Sequence, residues 1–401
     1  MNVTITPKKL TGTVTPPASK SVAHRCLLAG FLAAGESQIQ GISPSEDMEA
    51  TCRCGVALGA KVVVDGETVT IAQGDGGGNR PTFDCGESGS TLRFMIPIAA
   101  ALCGGGTFTG RGRLMERPQK PYSELFVGKN IEFTQENGEI AVNGWLKGGR
   151  YEISGNVSSQ FITGLLFALP LCGEDSELAL TTPLESAGYV DITLEILKQF
   201  GIKIQDLGGK YAIKGNQTYK NRTIAVEKDF SQSAFFYVAN ALGNHIDVVG
   251  MNPDSVQGDK AMEGIIATIL QEDAPVIDMR QVPDLMPVTT VLASLQPGKT
   301  TEIVGAARLR IKESDRIATT VAGITALGGK AVANGDGVTV YGQANLHGGV
   351  VDCANDHRIA MAMAVASTCA TGAVHLEGAE CVKKSYPNFW QDFHSLGGNF
   401  T

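Results

Sequence analysis

Leu58-Gly59-Ala60-Lys61-Val62 stops a helix on a glycine and opens a short β-rich run. The phrase returns at Phe200-Gly201-Ile202-Lys203-Ile204 and at Leu327-Gly328-Gly329-Lys330-Ala331. Leu396-Gly397-Gly398-Asn399-Phe400 is a fourth copy and Val127-Gly128-Lys129-Asn130-Ile131 a looser fifth. Glycine takes the left-handed backbone that ends a helix without a side-chain clash. The copy expected near Ile269 to Ala274 has no glycine, so that copy is read as degenerate.

A second phrase accompanies the first, a polar cluster that opens an apolar helix. It stands at Ser19-Lys20-Ser21, Glu87-Ser88-Gly89-Ser90, Ser158-Ser159-Gln160, Asp229-Phe230-Ser231-Gln232-Ser233, Pro283-Asp284 and Asn355-Asp356-His357. Each cluster holds a residue type suited to an N-cap. Ser90 follows Ser21 by 69 positions, and Ser159 follows Ser90 by the same 69. Self-similarity at a fixed period marks a repeated architecture. It predicts six α/β units, each with two helices and several short strands, three units to a domain. The Gly-rich stretches Gly74 to Gly78, Gly104 to Gly106, Gly208-Gly209 and Gly348-Gly349 are expected as tight turns, because none has the spacing of a phosphate loop.

The bulk properties fit two cores. The chain has 401 residues, of which 43% are hydrophobic, enough for two domains. The most apolar stretches, Phe94 to Leu102 and Ile359 to Val365, are too short to span a bilayer. The first ten residues lack the apolar run of a signal peptide, so a cytoplasmic chain is expected. A formal charge of −8 argues against a general nucleic-acid binder. The nine cysteines sit mostly in apolar runs, Cys52 and Cys54 lack CxxC spacing, and the six histidines form no HxH or HxxxH pair. No metal and no cofactor are expected.

Cations sit where helix dipoles disfavour them. The first turn of a helix is partially positive and normally carries acidic or neutral residues. Here Lys20 and Arg25 flank one helix start, Arg93 follows Ser90, Arg316 follows Lys312, Arg358 follows His357, and Lys383-Lys384 precede the last helix. Arg113 and Arg117 lie in the loop Gly110 to Pro118. At an effective dielectric of about 20, one like-charge pair near 4 Å costs about 4 kcal/mol. Any single cation is explained by solvent or a nearby acid. The set, on the same side of successive repeats, points to a pocket for one or two polyanionic small molecules. Asp47 is explained by the helix dipole. Asp284 is explained equally by capping and by proton transfer, and Glu313 by an ordinary ion pair or the same chemistry.

Nine stretches in order carry a family resemblance. They are Ser19-Lys20-Ser21 with Arg25, Gly89-Ser90-Thr91-Leu92-Arg93, Glu116-Arg117-Pro118, Ser158-Ser159-Gln160, Tyr189-Val190-Asp191, Pro283-Asp284, Lys312-Glu313-Ser314-Asp315-Arg316, Asp356-His357-Arg358 and Lys384-Ser385-Tyr386-Pro387. Over its whole length the chain resembles the 5-enolpyruvylshikimate-3-phosphate (EPSP) synthase family. The resemblance implies a two-domain inverse α/β barrel, with one domain over 15–226 and the other over 1–14 plus 227–401. It implies an active site in the interdomain cleft, completed by domain closure. It further implies transfer of the enolpyruvyl group of phosphoenolpyruvate to the 5-hydroxyl of shikimate 3-phosphate by a monomer.

By that resemblance, Lys20, Ser21, Arg25, Ser158, Ser159, Gln160, Ser186, Tyr189, Asp284, Arg308 and Lys312 would hold shikimate 3-phosphate. Lys20, Gly89, Arg93, Arg117, Gln160, Arg316, Arg358 and Lys384 would hold phosphoenolpyruvate. Asp284 would act as base, with Glu313 or a lysine such as Lys20 protonating the donor. Arg308 stands where some family members carry asparagine, and Phe94 where some carry proline. A sister enzyme acting on UDP-N-acetylglucosamine shares fold and donor, but its mobile loop typically carries a cysteine, and Gly110 to Arg117 has none. A non-catalytic anion binder would leave Asp284 and Glu313 without a role.

Overall fold

The glycine stops are left-handed at all five copies. In the computed structural model, which describes residues 1–74 and 78–401, Gly59, Gly128, Gly201, Gly328 and Gly397 have φ between +75° and +102°. They end the helices Glu46–Ala57, Lys120–Phe126, Ala187–Gln199, Arg316–Ala326 and Phe389–Ser395. The strands Lys61–Asp65, Glu132–Glu136, Ile204–Asp206, Lys330–Ala333 and Asn399–Phe400 follow. The helix Met262–Gln271 has no such glycine and leaves through an extended Glu272. The next strand, Val276–Asp278, belongs to another sheet. Its own sheet therefore has only Thr11–Val14 and His245–Val248, paired in parallel.

The chain divides into two units, Ala18–Glu227 and Met1–Pro17 with Lys228–Thr401. In the first, three four-stranded sheets share one order. Gly149–Ile153, Ser176–Leu180, Lys210–Ile213 and Ile204–Asp206 lie side by side, the first pair parallel and the rest antiparallel. Thr82–Asp84, Gly105–Thr109, Glu139–Asn143 and Glu132–Glu136 repeat that pattern. The last strand of the unit, Thr223–Ala225, returns to pair with Ser37–Gln40 and closes the third sheet.

The second unit repeats the order in Val276–Asp278, Thr300–Val304, Val338–Tyr341 and Lys330–Ala333. In its last sheet the third place is taken by Val3–Thr6 from the chain start, between Val374–Glu377 and Asn399–Phe400. The repeated α/β architecture expected from the sequence is present.

One helix per repeat is sunk in the core. Phe230–Ala241, Met286–Ser294 and His357–Ser367 pack against one another. Every residue of His357–Ser367 is buried, as expected of a helix whose Ala and Met side chains leave no polar stripe. In the other unit Gly89–Leu102 packs against Ser159–Ala168. A Cβ on Gly164 would stand 2.6 Å from the Arg93 carbonyl, so only glycine permits that approach.

These helices begin at the polar clusters. Ser88, Ser158, Asp229 and Asp356 cap them, accepting from the backbone N–H of Thr91, Gln160, Gln232 and Arg358. Two clusters depart from expectation. Ser19 makes no side-chain cap bond, and Asp284 lies in a 3-10 turn, Pro283–Leu285, that runs into Met286–Ser294. Among the Gly-rich stretches, Gly208 and Gly209 turn a hairpin. Gly105–Thr109 and Gly349–Asp352 are strands instead of turns, because the chain beside them comes close: a Cβ on Gly106 would meet the Pro81 carbonyl at 2.6 Å. The centre of Gly74 to Gly78 lies outside the described residues.

Candidate active site

In the unit Lys228–Thr401, three helix starts bring charge together. Asp284 follows Pro283 in a 3-10 turn, and its carboxylate faces cations. Its Oδ1 accepts from Arg316 Nη1 at 2.9 Å and its Oδ2 from Arg358 Nη2 at 3.0 Å. Lys312 Nζ lies 3.8 Å from Oδ1. Capping, the alternative reading of Asp284, is not what it does. Burial alone would raise its pKa, but Arg358, Lys312 and Arg316 outweigh burial and hold the carboxyl well below the usual range.

Arg316 is the centre of this cluster. Its side chain is 1% exposed, a position a cation holds only with partners. Nε donates to Asp356 Oδ2 at 2.9 Å, Nη2 to Asp356 Oδ1 at 3.3 Å, and Nη2 also to Glu313 Oε2 at 2.6 Å. Burial works against its charge, yet Asp356, Glu313 and Asp284 raise its pKa above the ordinary arginine value. Lys312 is shifted down, by burial first, with Asp284 and Glu313 opposing. Arg358 also donates to Ser231 Oγ at 2.7 Å. Lys384 Nζ donates to the Asn355 carbonyl at 2.9 Å, and Arg308 Nη2 to the Arg280 carbonyl at 2.7 Å.

In the unit Ala18–Glu227, Lys20 opens its helix and pairs with Asp47 Oδ2 at 3.0 Å. The Asp47 carboxylate is thus more than a helix-dipole residue. Arg25 is buried and donates to Thr193 Oγ1, the Ser21 carbonyl, Thr163 Oγ1 and the Tyr189 carbonyl, at 2.7 to 3.3 Å. Burial lowers its pKa to about 10, so it stays protonated at neutral pH. It clamps the backbone that presents Ser21 and Tyr189.

Arg93 stacks over Phe161, 4.6 Å from the ring centre, and donates to Gln160 Oε1 at 2.7 Å. Gln160 Nε2 donates in turn to Ser90 Oγ at 2.8 Å. Gly89 opens that helix, and a Cβ there would meet Arg117 Nη1 at 2.8 Å. Ser158 caps the helix that starts with Ser159 and Gln160. Ser186 is left-handed (φ +57°), an uncommon state for a residue with a Cβ, and it starts the helix that carries Tyr189.

The structure thus groups the candidate residues into two constellations, one per unit. Lysines and arginines lie in both constellations. Their pairing with carboxylates shows that Asp47, Asp284, Glu313 and Asp356 neutralise much of the charge that pointed to an anion. The sequence reading places Asp356 and Ser231 only in helix-opening clusters and gives no role to Thr193 or Gln119, yet all four accept from arginines, Gln119 Oε1 from Arg93 Nε at 3.4 Å. Thr193 and Gln119 give no local signal. Among the described residues, no group of His, Cys, Asp or Glu is arranged to hold a metal ion. No helix there is long and apolar enough to cross a membrane.

Comparison with known proteins gives a consistent result. Residues 5–393 match the family described as EPSP synthase (3-phosphoshikimate 1-carboxyvinyltransferase). The 3-phosphoshikimate 1-carboxyvinyltransferase of Clostridium kluyveri is 45% identical, over 99% of this chain and 97% of the relative. That of Clostridioides difficile is 42% identical, over 98% and 97%. EPSP synthase from Acinetobacter baumannii matches with a TM-score of 0.80 at 24% identity, covering 100% of this chain and 99% of that one. This last likeness speaks for the fold.

Proposed function

The chain belongs to the EPSP synthase (3-phosphoshikimate 1-carboxyvinyltransferase) family, and on that premise we propose that its two constellations of cations serve one pair of phosphorylated substrates. The enzyme transfers the enolpyruvyl group of phosphoenolpyruvate to shikimate 3-phosphate and releases phosphate, a step of aromatic biosynthesis. In our reading Arg117, Arg316, Arg358 and Lys384, with Lys20, Gly89, Arg93 and Gln160, take the donor. Ser21, Arg25, Ser158, Ser159, Gln160, Ser186 and Tyr189, with Lys20, Asp284, Arg308 and Lys312, take the acceptor.

The observation that carries the mechanism is the contact of Asp284 with both Arg316 and Arg358. Gripped by these cations, the carboxylate is a weak base. When the anionic groups of phosphoenolpyruvate take over the arginines, the hold on Asp284 loosens and its pKa rises toward a useful value. Asp284 then accepts the proton of the 5-hydroxyl while that oxygen bonds to C2 of the donor. C3 takes a proton from Glu313, or from a lysine such as Lys20, and a tetrahedral phosphate ketal forms. Loss of a C3 proton and cleavage of the C2–O bond expel phosphate and leave the enol ether. The cations stabilise the charge that develops, each donor contributing about 3 kcal/mol in sites of this kind.

The test is phosphate release from phosphoenolpyruvate by purified protein, with and without shikimate 3-phosphate. Release that does not depend on the acceptor would refute the reading. We further read the enzyme as a cytoplasmic monomer, which sedimentation and cell fractionation check.

A further inference from the structure

Two neighbouring residues of the helix Lys20–Leu32 reach into the core of the unit Ala18–Glu227, and each meets a pair of threonines. Arg25 meets Thr193 and Thr163, whose hydroxyl oxygens lie 2.8 Å apart. His24 meets the other pair. Its Nδ1 lies 2.8 Å from Thr51 Oγ1, which lies 2.7 Å from Thr91 Oγ1. Thr193 and Thr51 also donate to carbonyls one turn back, to Tyr189 at 2.9 Å and to Asp47 at 3.0 Å. The arginine branch thus ends on Tyr189, a proposed acceptor ligand, whereas the proposed reaction gives the histidine branch no role. That branch ends on Ser88 Oγ, which accepts from the Thr91 hydroxyl at 2.8 Å and from its backbone N–H at 3.3 Å. Ser88 so caps the helix that Gly89 and Ser90 open. His24, Thr51, Thr91 and Ser88 are each at most 1% exposed.

The direction of these bonds fixes the state of the ring. Thr91 gives its proton to Ser88 and the Asp47 carbonyl can only accept, so the single Thr51 proton is taken on that side. Toward His24, Thr51 presents a lone pair. Nδ1 therefore carries the ring proton and donates, while Nε2 is bare and has no hydrogen-bond partner among the described residues. Burial, then Lys20 and Arg25, hold the pKa of His24 well below the ordinary histidine value, so the ring is neutral. Phe94 meets it edge-on, ring centres 6.4 Å apart, and sets its plane.

We propose that His24 is a positioning residue for phosphoenolpyruvate: through Thr51 and Thr91 it ties the helix start at Gly89 to the turn from which Asp47 faces Lys20. This rests on the reading that Lys20 and Gly89 bind that substrate. Thr51 holds the Asp47 carbonyl, and the Asp47 carboxylate holds Lys20 Nζ at 3.0 Å. Thr91 holds the Ser88 cap. Without the imidazole, Thr51 loses the partner that fixes its hydroxyl between these two.

Steady-state kinetics of wild type, His24→Leu, Thr51→Val, their double variant and His24→Asn test this, with thermal unfolding to confirm that each is folded. His24→Leu and Thr51→Val are each expected to raise KM for phosphoenolpyruvate about tenfold, the scale of one lost buried hydrogen bond. The kcat and the acceptor KM stay within about twofold, because the Arg25 branch is untouched. His24→Asn puts an amide N–H near the place of Nδ1–H and recovers most of the loss. The double variant is no worse than the poorer single one, because both break the same chain. In nitrogen NMR of the wild type, the ring signals that His24→Asn removes show a protonated Nδ1 and a bare Nε2. Equal rises in both KM values, an asparagine variant no better than leucine, multiplicative effects in the double variant, or the opposite tautomer would each overturn the inference. Should His24→Leu not fold, Thr51→Val and the wild-type tautomer still decide it. Lys20→Met in the same assay separates the layers. If it leaves KM for phosphoenolpyruvate unchanged, the substrate reading fails and the positioning role with it. If it raises KM while the His24 and Thr51 variants do not, only the positioning role fails.

Discussion

Asp356 grips Arg316 with both carboxylate oxygens, Oδ2 on Nε at 2.9 Å and Oδ1 on Nη2 at 3.3 Å. The same Oδ1 caps the helix that carries Arg358, accepting from its backbone N–H at 3.0 Å. One fully buried acid thus sets two arginines. Asp356→Asn keeps an acceptor for the cap but removes the charge opposite Arg316. It is expected to cost about 3 kcal/mol of stability, as when a buried pair loses one partner. KM for phosphoenolpyruvate should rise more than KM for the acceptor. Urea unfolding and steady-state kinetics check the two parts, and a variant as stable as wild type would contradict the clamp.

Asp284 holds Arg316 and Arg358, and in the proposed mechanism it competes with phosphoenolpyruvate for them. Asp284→Asn should therefore bind phosphoenolpyruvate at least as tightly as wild type, measured by calorimetry. Turnover should fall by about 10² or more, the usual contribution of a general base. Weaker binding with normal turnover would reverse the roles assigned to it.

Asp259 predicts a stability that falls with rising pH. Burial, then repulsion from Asp284, pushes its folded pKa up to about 6, above the unfolded value near 3.9. The folded state thus holds its proton more tightly, and ionisation costs stability between those two values. Asp259→Asn should be more stable than wild type by about 3 kcal/mol at pH 8. The gain should vanish below pH 4. Urea midpoints across that range measure it, and a gain that grows in acid would show the sign to be wrong.

Gly89→Ala would put a Cβ 2.8 Å from Arg117 Nη1, closer than carbon and nitrogen pack. The guanidinium must move. We expect KM for phosphoenolpyruvate to rise about tenfold, equal to about 1.4 kcal/mol of binding, with acceptor KM unchanged. A structure of the variant with Arg117 undisturbed would remove the explanation.

Much of the fold was legible because its signals are local. A glycine after Ala57, Phe126, Gln199, Ala326 or Ser395, within one or two residues, ends each helix for reasons of backbone sterics that need no distant partner. It is missing after Met262–Gln271, the copy read as degenerate, and the structure shows a two-stranded sheet of Thr11–Val14 and His245–Val248 there. Ser186 shows the opposite case, a left-handed start to a helix that no neighbouring residue foretells.

The positions of most cations were readable for the same reason, since Lys20, Arg93, Arg316 and Arg358 stand at helix openings. Their partners were not. Asp284 could cap a turn or face a cation, and nothing between Val282 and Met286 decides which. The choice is made by Arg316 and Arg358, 32 and 74 residues further on.

The order of residues by itself determined the repeat, the helix ends and which helix starts carry cations. All of these follow from the stiffness of a few adjacent peptide units. Packing alone decided which acid faces which base. Electrostatic pairing depends on distance in space and on exclusion of water, and both come into being only when separate helices are sunk into one core.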